Sequence, residues 1–211
     1  MNIFSIHNYK RYCDKLRKQH IIIQQLHERI GYPPYWKREN SFDSLCKTIL
    51  EQQVSLASAK AVYKRLHAYC GDITLEILFN LSDEIFRAHG VTRQKTRYLK
   101  LLAEKLLQEP NFFESLQLLS NDEAKQKLIS LKGVGHWTSN VYLLVALNRI
   151  DIYPDFDVAL INSIAYEHFN AEKISNDIAK NFIAQFSPLQ SIASCYFYHA
   201  YIQRKKIDFV P

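Results

Sequence analysis

Over most of the chain, apolar residues have the spacing of amphipathic helices. Phe42, Leu45 and Ile49 form one such stripe, and Ser41 immediately before it is a typical helix N-cap. A four-residue spacing recurs between positions 174 and 186. Two short β-like runs, at 21–23 and 150–153, have no partner run with which to pair. The pattern therefore predicts an all-α fold of about ten helices with short connections and no sheet.

Capping residues predict several helix boundaries. Thr92 is placed to cap one helix, and Asn111 with Glu114 has the spacing of a capping box for the next. Ser187 followed by Pro188 is typical of an N-cap and a proline in the first helical position. This pair predicts that the last helix begins there.

The composition is that of an ordinary globular protein. Of the 211 residues, 47% are hydrophobic and 23% are charged, which excludes a disordered or collagen-like chain. Five glycines and six prolines are few for the turns of an all-β fold. No stretch approaches the ~20 apolar residues of a membrane span, and the N-terminus lacks the apolar segment of a signal peptide. We therefore expect an intracellular protein with no membrane partner.

Four cysteines stand far apart, at positions Cys13, Cys46, Cys70 and Cys195, with no CxxC pair. Zinc ribbons and iron–sulfur clusters need clustered thiolates. We expect reduced, mostly buried thiols and no iron–sulfur cluster.

The basic balance is compatible with a nucleic-acid partner but does not require one. The formal net charge is +6 and the pI is about 9.0. Basic residues cluster at 10–11, 93–97 and 204–206. Each cluster also fits a solvated helix face, and for the C-terminal cluster that is the favoured interpretation.

A glycine pair marks the most informative segment, Leu131 to Gly135. One helix opens at 121–123 with the acidic residues Asp122 and Glu123 in its first turn and ends near Leu131, and another begins directly after Gly135. Gly133 supplies the positive φ of a tight turn, and neither glycine has a Cβ to obstruct a phosphate at the N-terminus of the next helix. The segment therefore predicts a helix–hairpin–helix that binds an anion. The alternative is a helical hairpin whose glycines serve packing only.

Asp157 is the second candidate for chemistry. It follows the loop at 150–156 and opens an apolar helix that continues through Leu160. A carboxylate in that position is commonly a helix N-cap. Capping and function are compatible here, because the helix N-terminus favours the charged form of a carboxylate.

These segments resemble the helix-hairpin-helix DNA glycosylases with the Gly/Pro…Asp signature. The resemblance is carried by LKGVGHWTSNVYLL followed by DIYPDFDVAL. SFDSLCKTILEQQVSLASAKAVYKRL, GVTRQKTRYLKLLAEKL and SPLQSIASCYFYHAY resemble segments of one branch, the 3-methyladenine DNA glycosylase II group. The likeness extends from about Tyr32 to Tyr201 and implies a single glycosylase domain over residues 1–211 with two lobes. One lobe is expected at 42–148, with the hairpin at 121–148, and the other at 1–41 plus 149–211, with a cleft between them for a flipped nucleotide.

The resemblance implies a role for each site residue. Asp157 matches the catalytic aspartate of the family. The positions implied to contact DNA phosphate through backbone N–H groups are Gly133, Gly135 and Thr138. Lys132, at a position where the family usually has proline, and His136 are expected to add phosphate contacts. Backbone carbonyls implied to hold a monovalent cation are those of Ile129, Leu131 and Val134. Gln52 and Gln53 match the site of the side chain that fills the gap left by a flipped base, with Gln53 favoured. The implied base pocket contains Trp137, Tyr198 and Trp36. Surface amides and, for Trp36, an ordinary core aromatic are the alternatives.

The implied activity is hydrolysis of the N-glycosidic bond of alkylated bases, such as 3-methyladenine and 7-methylguanine, in double-stranded DNA. Trp137 stands where the lyase branch carries a lysine, so we expect a monofunctional enzyme that leaves an abasic site. We expect a monomer with no required cofactor, located in the cytoplasm with the nucleoid or in the nucleus, depending on the source.

Four departures from the family pattern affect the site. Glu51 places a negative charge near DNA, and Lys132 replaces a proline. Cys195 stands where tryptophan is common and Tyr198 where another tryptophan is frequent, so the pocket is less aromatic. The rival hypothesis is a non-catalytic helix–hairpin–helix protein that binds lesions or junctions. A third and weaker one is an enzyme for oxidised or mismatched bases.

Overall fold

The computed structural model describes residues 3–207 and is all-α over that range. Within it, thirteen helices are connected by short loops, and the β pairing consists of one isolated antiparallel bridge between Ile3 and Arg149. The expected all-α fold is therefore confirmed. Among these residues no helix is both long and apolar enough to cross a membrane.

The chain divides into two compact units, one formed by Met1–Lys37 with Leu143–Pro211 and the other by Arg38–Tyr142. The first combines an N-terminal and a C-terminal segment, and its helices are α1 (Tyr9–Gln19), α2 (Ile21–Ile30), α11 (Val158–Glu167), α12 (Asn176–Ala184) and α13 (Gln190–Lys205). The predicted lobe at 42–148 corresponds to the second unit, and its boundaries differ by four residues at the start and six at the end.

Helix α13 forms the centre of the first unit. Every side chain from Ser191 to Phe197 is buried, so the helix is enclosed around most of its circumference. It packs against α1, α2, α11 and α12. The first unit is therefore built around the buried helix α13, which is the last helix in the described range. Tyr198 lies on α13.

The second unit contains seven complete helices and the start of an eighth. They are α3 (Phe42–Glu51), α4 (Leu56–Cys70), α5 (Leu75–Asn80), α6 (Asp83–Ala88), α7 (Arg93–Leu107), α8 (Phe112–Leu118), α9 (Asn121–Ile129) and α10 (His136–Val145), the last of which crosses the unit boundary. Helix α7 packs against α3, α5 and α6, and its buried face includes Leu99, Leu102 and Leu106. The candidate hairpin connects α9 to α10.

Some predicted caps are present and others are wrong. The side chains of Ser41 and Thr92 accept hydrogen bonds from the backbone N–H groups three residues later, as predicted. Asn111 makes no such bond, so the predicted capping box at α8 is wrong. A complete capping box occurs instead at α9, between Ser120 and Glu123. A serine with glutamate three residues later matches this motif better than asparagine does.

The predicted start of the last helix is also wrong. Ser187–Pro188 is a cis peptide, and α13 begins at Gln190 after the N-cap position Leu189. The Ser187 hydroxyl donates to Asp151 Oδ2 at 2.7 Å instead of capping the helix. The Ser187 side chain, which the local pattern predicted to cap the helix, thus makes a tertiary contact instead.

Candidate functional site

The hairpin turn requires glycine at position 133. Gly133 has φ +90°, and a Cβ at this position would lie 2.4 Å from Cγ of Tyr98. Both the backbone conformation and the close approach of the Tyr98 ring exclude a side chain. The positive φ expected from the sequence is confirmed, and the packing against α7 adds a second reason that the sequence pattern did not reveal.

Gly135 differs, because the protein itself does not need a glycine there. A Cβ at this position would meet no atom within 4 Å, and φ lies outside the left-handed region. The residue is exposed and directly precedes α10, where Ser139 N donates to the Gly135 carbonyl at 2.9 Å. The first N–H groups of a helix have no acceptor within the helix. Gly135 therefore leaves open space beside the first N–H groups of α10.

Of the two candidate insertion residues, Gln52 is engaged within the protein. Its Nε2 donates to the Gly133 carbonyl and to Thr138 Oγ1, each at 2.8 Å. Gln53 is exposed and has φ +56°. The structure thus separates the two candidates, and Gln53, which the sequence analysis favoured, is the one whose side chain faces solvent.

Two basic residues that the sequence analysis did not select support this region. Lys95 Nζ donates to the carbonyl oxygens of Leu50 and Gln52 at 2.7 and 2.9 Å, and burial lowers the pKa of Lys95. Lys95 is therefore not part of a solvated helix face. Arg38 forms a bidentate ion pair with Glu51, at 3.0 and 2.5 Å. The negative charge expected from Glu51 near DNA is compensated by this pair.

The other hairpin residues differ in exposure. Lys132 and His136 are exposed, Trp137 is partly buried and Thr138 is buried. The Leu131 carbonyl accepts from Val134 N at 3.1 Å, which leaves it one further lone pair.

Asp157 is held at the N-terminus of α11. Its Oδ1 accepts from Leu160 N at 2.9 Å, and the residue is 7% exposed. The Tyr198 hydroxyl donates to the Asp157 carboxylate, and burial together with that negative charge raises the pKa of Tyr198 well above its usual range. The ring of Trp36 packs edge-on against Tyr198, with centroids 6.5 Å apart. Three predicted site residues, Asp157, Tyr198 and Trp36, therefore lie together.

The loop before Asp157 carries a feature that the sequence did not indicate. Phe156 has φ +62° and is 65% exposed, which is unusual for a bulky apolar residue. Its backbone N–H donates to Asn176 Oδ1 at 2.8 Å, and the Tyr153 hydroxyl donates to the same oxygen at 3.1 Å. Asn176 on α12 thus supports the loop that presents Asp157. Asn176 lies 19 residues after Asp157 in the sequence, and no local sequence pattern indicated this contact.

Cys195 belongs to the core rather than to an accessible surface. It is 2% exposed, and burial raises the pKa of its thiol to about 12. All four cysteines are free thiols, and three of them are buried. The described range contains no group of three or more His, Cys, Asp or Glu side chains that could hold a metal ion.

Residues 46–186 match one known protein family, the HhH-GPD superfamily base excision DNA repair protein. The match covers more than half of the chain. The chain belongs to the HhH-GPD superfamily. The hairpin glycines, Gln52, Gln53 and Asp157 lie within the matched range of this superfamily, whereas Trp36 and Tyr198 lie outside it.

Relatives within the HhH-GPD superfamily carry related names. The chain is 29% identical over 137 residues to DNA-3-methyladenine glycosylase 1 of Schizosaccharomyces pombe, covering 63% of this chain and 60% of that protein. It is 26% identical over 167 residues to DNA-3-methyladenine glycosylase of Bacillus subtilis, covering 74% of this chain and 55% of that protein. The chain therefore spans less than two thirds of the length of either relative.

Solved structures share the fold. The S. pombe 3-methyladenine DNA glycosylase in complex with abasic DNA has a TM-score of 0.83 at 24% identity, covering 95% of this chain and 100% of that one. A DNA-3-methyladenine glycosidase from Bacillus halodurans has a TM-score of 0.74 at 25% identity, covering 98% and 95%. The HhH-GPD fold is thus shared over nearly the whole chain.

Proposed function

We propose that this protein is a DNA glycosylase that hydrolyses the N-glycosidic bond of alkylated bases, such as 3-methyladenine and 7-methylguanine, in double-stranded DNA. The observation that carries the proposal is the buried Asp157 carboxylate, bound by Leu160 N and the Tyr198 hydroxyl in a member of a base-excision repair family. The names of the S. pombe and B. subtilis relatives support 3-methyladenine as a substrate.

Asp157 is the proposed catalytic residue. Breaking the N-glycosidic bond develops positive charge on the deoxyribose, and a nearby carboxylate stabilises that charge and orients or deprotonates the attacking water. The pair of donors on Asp157 keeps the carboxylate in one orientation, so no reorganisation is needed at the moment of reaction. An alkylated base leaves readily because it is already positively charged, and little acid catalysis is required.

The hairpin is the proposed phosphate site. Backbone N–H groups of Gly133, Gly135 and Thr138 are the proposed donors, supported by the open space beside Gly135. Thr138 would act through its backbone, because its buried hydroxyl accepts from Gln52. Exposed Lys132 and His136 add contacts that neutralise phosphate charge. Gln53 is the proposed insertion residue that replaces a flipped base.

Trp137 and Tyr198 are proposed to stack on the extruded base. Trp36 is 8% exposed and contacts Tyr198, which supports a role in holding that ring.

The enzyme is proposed to be monofunctional and to belong to the type II group. Trp137 occupies the position two residues after Gly135 where a lyase would carry a Schiff-base lysine. Hydrolysis then ends at the abasic site.

A monovalent cation is a further proposal, at the carbonyls of Ile129, Leu131 and Val134. This donor set consists of neutral oxygens without a carboxylate, which suits a weakly held monovalent ion better than Mg²⁺ or Zn²⁺. Such an ion would add positive charge near the proposed phosphate site. Apart from this ion, the proposal requires no cofactor. We also propose that the protein acts as an intracellular monomer.

Single-turnover base release tests the proposal. Duplexes carrying 3-methyladenine, 7-methylguanine or 1,N6-ethenoadenine are incubated with wild type and Asp157→Asn, and strands are examined before and after hot alkali. Asparagine caps helices as well as aspartate does, so this variant keeps the cap and loses the charge. Asp155→Asn is a matched control, because Asp155 lies two residues away and pairs with Lys180 at 3.3 Å.

The expected result is strand breaks only after alkali, with wild type and Asp155→Asn but not with Asp157→Asn. Equal release by Asp157→Asn would exclude the proposed mechanism. Breaks without alkali would exclude the monofunctional assignment. Absence of release from every lesion, with tight and salt-sensitive binding, would instead support the non-catalytic lesion or junction binder.

A further inference from the structure

The C-terminal end of α3 is anchored at three consecutive residues. Lys95 Nζ donates to the Leu50 and Gln52 carbonyls, and Arg38 holds the Glu51 carboxylate through two hydrogen bonds. The side chains of Arg38 and Glu51 are 11% and 16% exposed, so this pair is shielded from solvent. The main chain up to Gln52 is therefore fixed to two other parts of the unit.

The Gln52 side chain adds a link to the hairpin. Its Nε2 bonds Gly133 in the turn and Thr138 in the first turn of α10, both at 2.8 Å. A single amide thus connects the end of α3 to both sides of the hairpin. A carbonyl and a hydroxyl in this environment would lose a hydrogen-bond partner if the amide were removed.

Gln53 follows directly after this anchored segment. Its φ of +56° is costly for a residue other than glycine, and such a conformation persists only where its surroundings hold it. The contacts on Leu50, Glu51 and Gln52 fix the chain immediately before Gln53. These contacts therefore constrain the direction in which the exposed Gln53 side chain leaves the backbone.

We propose that Gln52 is a positioning residue that holds Gln53 in register with the phosphate-binding hairpin. This inference rests on the proposed function. With the link intact, the hairpin and the inserted side chain act on DNA as one rigid element, so a bound phosphate defines where Gln53 enters the helix. Without it, the backbone donors of the hairpin still bind phosphate, but Gln53 is no longer aligned with the base to be displaced.

A double-mutant cycle with Gln53 tests the inference. The variants are Gln52→Leu, which is close in size and removes both hydrogen bonds, Gln53→Ala, and the two combined. Gln185→Leu is the matched control, since the Gln185 amide also donates to a backbone carbonyl, that of Phe182 at 2.8 Å. Insertion is measured by the fluorescence of 2-aminopurine next to an abasic-site analogue in a duplex, and excision by single-turnover release of 3-methyladenine.

We expect Gln52→Leu to reduce the insertion signal and the excision rate about tenfold, the same loss as for Gln53→Ala, because a misaligned Gln53 no longer contributes to base extrusion. Affinity for undamaged duplex should change less than about twofold, since the phosphate donors remain. Gln53→Ala should cost about tenfold in the wild-type background and less than about twofold after Gln52→Leu. The control should behave as wild type.

Multiplicative effects of Gln52→Leu and Gln53→Ala would overturn the inference, as would an equal loss of undamaged-duplex affinity. If Gln52→Leu fails to fold, Gln52→Glu replaces it, because glutamate keeps the shape but cannot donate to the Gly133 carbonyl. Normal insertion by the Gln52→Glu variant would also overturn the inference. A different result would exclude the proposed function alone: the wild-type protein shows insertion that depends on Gln52 but releases no base.

Discussion

At the residue scale, the buried Asp157 carboxylate accepts a hydrogen bond from the Tyr198 hydroxyl, and this bond affects the protonation state of the proposed catalytic residue. A hydroxyl that donates to a carboxylate favours the charged form, which is the form that the proposed catalytic role of Asp157 requires. Tyr198 is itself held against Trp36. The sequence suggested both aromatic residues as pocket walls, whereas the contact with the carboxylate supports a second, electrostatic role for Tyr198 in the proposed reaction.

We expect Tyr198→Phe to slow base release about tenfold, as loss of one hydrogen bond to a charged group predicts. The acid limb of the pH–rate profile should move to higher pH, because a carboxylate without this donor takes up a proton sooner as the pH falls. The raised pKa of Tyr198 also predicts that wild type shows no loss of activity near pH 10 from ionisation of this hydroxyl.

Single-turnover rates between pH 4 and pH 11 would measure both effects. Tyr196→Phe is the control, since Tyr196 lies on the same helix and its hydroxyl contacts His27 Nδ1 at 3.0 Å. An acid limb that stays in place after Tyr198→Phe would contradict the electrostatic role.

At the element scale, the hairpin combines two glycines that serve different purposes. Gly133 is required by the fold, through its positive φ and its close approach to the Tyr98 ring, whereas a Cβ at Gly135 would meet no atom within 4 Å. The two glycines look alike in sequence. Their separate requirements predict that stability and DNA affinity respond differently to the same substitution at each position.

We expect Gly133→Ala to destabilise the protein by about 1–3 kcal/mol through backbone strain and the clash with Tyr98. Gly135→Ala should cost less than about 1 kcal/mol, the difference between glycine and alanine before a helix. It should nevertheless weaken duplex binding about tenfold, because its methyl group obstructs a phosphate at α10. Thermal unfolding and fluorescence anisotropy of labelled duplex would measure the two effects, and unchanged affinity of Gly135→Ala would argue against the phosphate site.

At the scale of the whole molecule, the net charge of +6 predicts binding to DNA that weakens with salt. The charge alone does not say which basic side chains are used. Lys95 is held by backbone carbonyls, Arg38 is paired with Glu51, and Lys132 in the hairpin is exposed. Of these three, Lys132 is therefore the side chain suited to contact phosphate.

A plot of log affinity against log salt concentration should become shallower by about 0.9 in Lys132→Gln, as loss of one phosphate contact predicts. Lys205→Gln is the control, because this exposed residue belongs to the C-terminal cluster interpreted as a solvated face. Affinities for undamaged duplex between 50 and 400 mM salt would give the slopes. Equal slopes for wild type and Lys132→Gln would remove Lys132 from the phosphate site.

Local sequence determined the helical class and the two main landmarks of the site. The apolar spacing of α3, the caps of Ser41 and Thr92, the turn at Gly133 and the N-cap at Asp157 are all set by neighbours within a few residues, so they could be predicted. The short helices α5 and α6, six residues each, lack enough periodic positions and were not predicted.

Only the tertiary structure decided which neighbouring side chains face inward. Gln52 and Gln53 are identical and adjacent, yet one bonds the hairpin 81 residues away and the other is exposed. Lys95 and Asn176 support the site through contacts to residues 45 and 20 positions away, and Ser187 bonds Asp151 instead of capping a helix. The physical reason is that hydrogen-bond partners brought together by folding outweigh the weak local preference of a polar side chain.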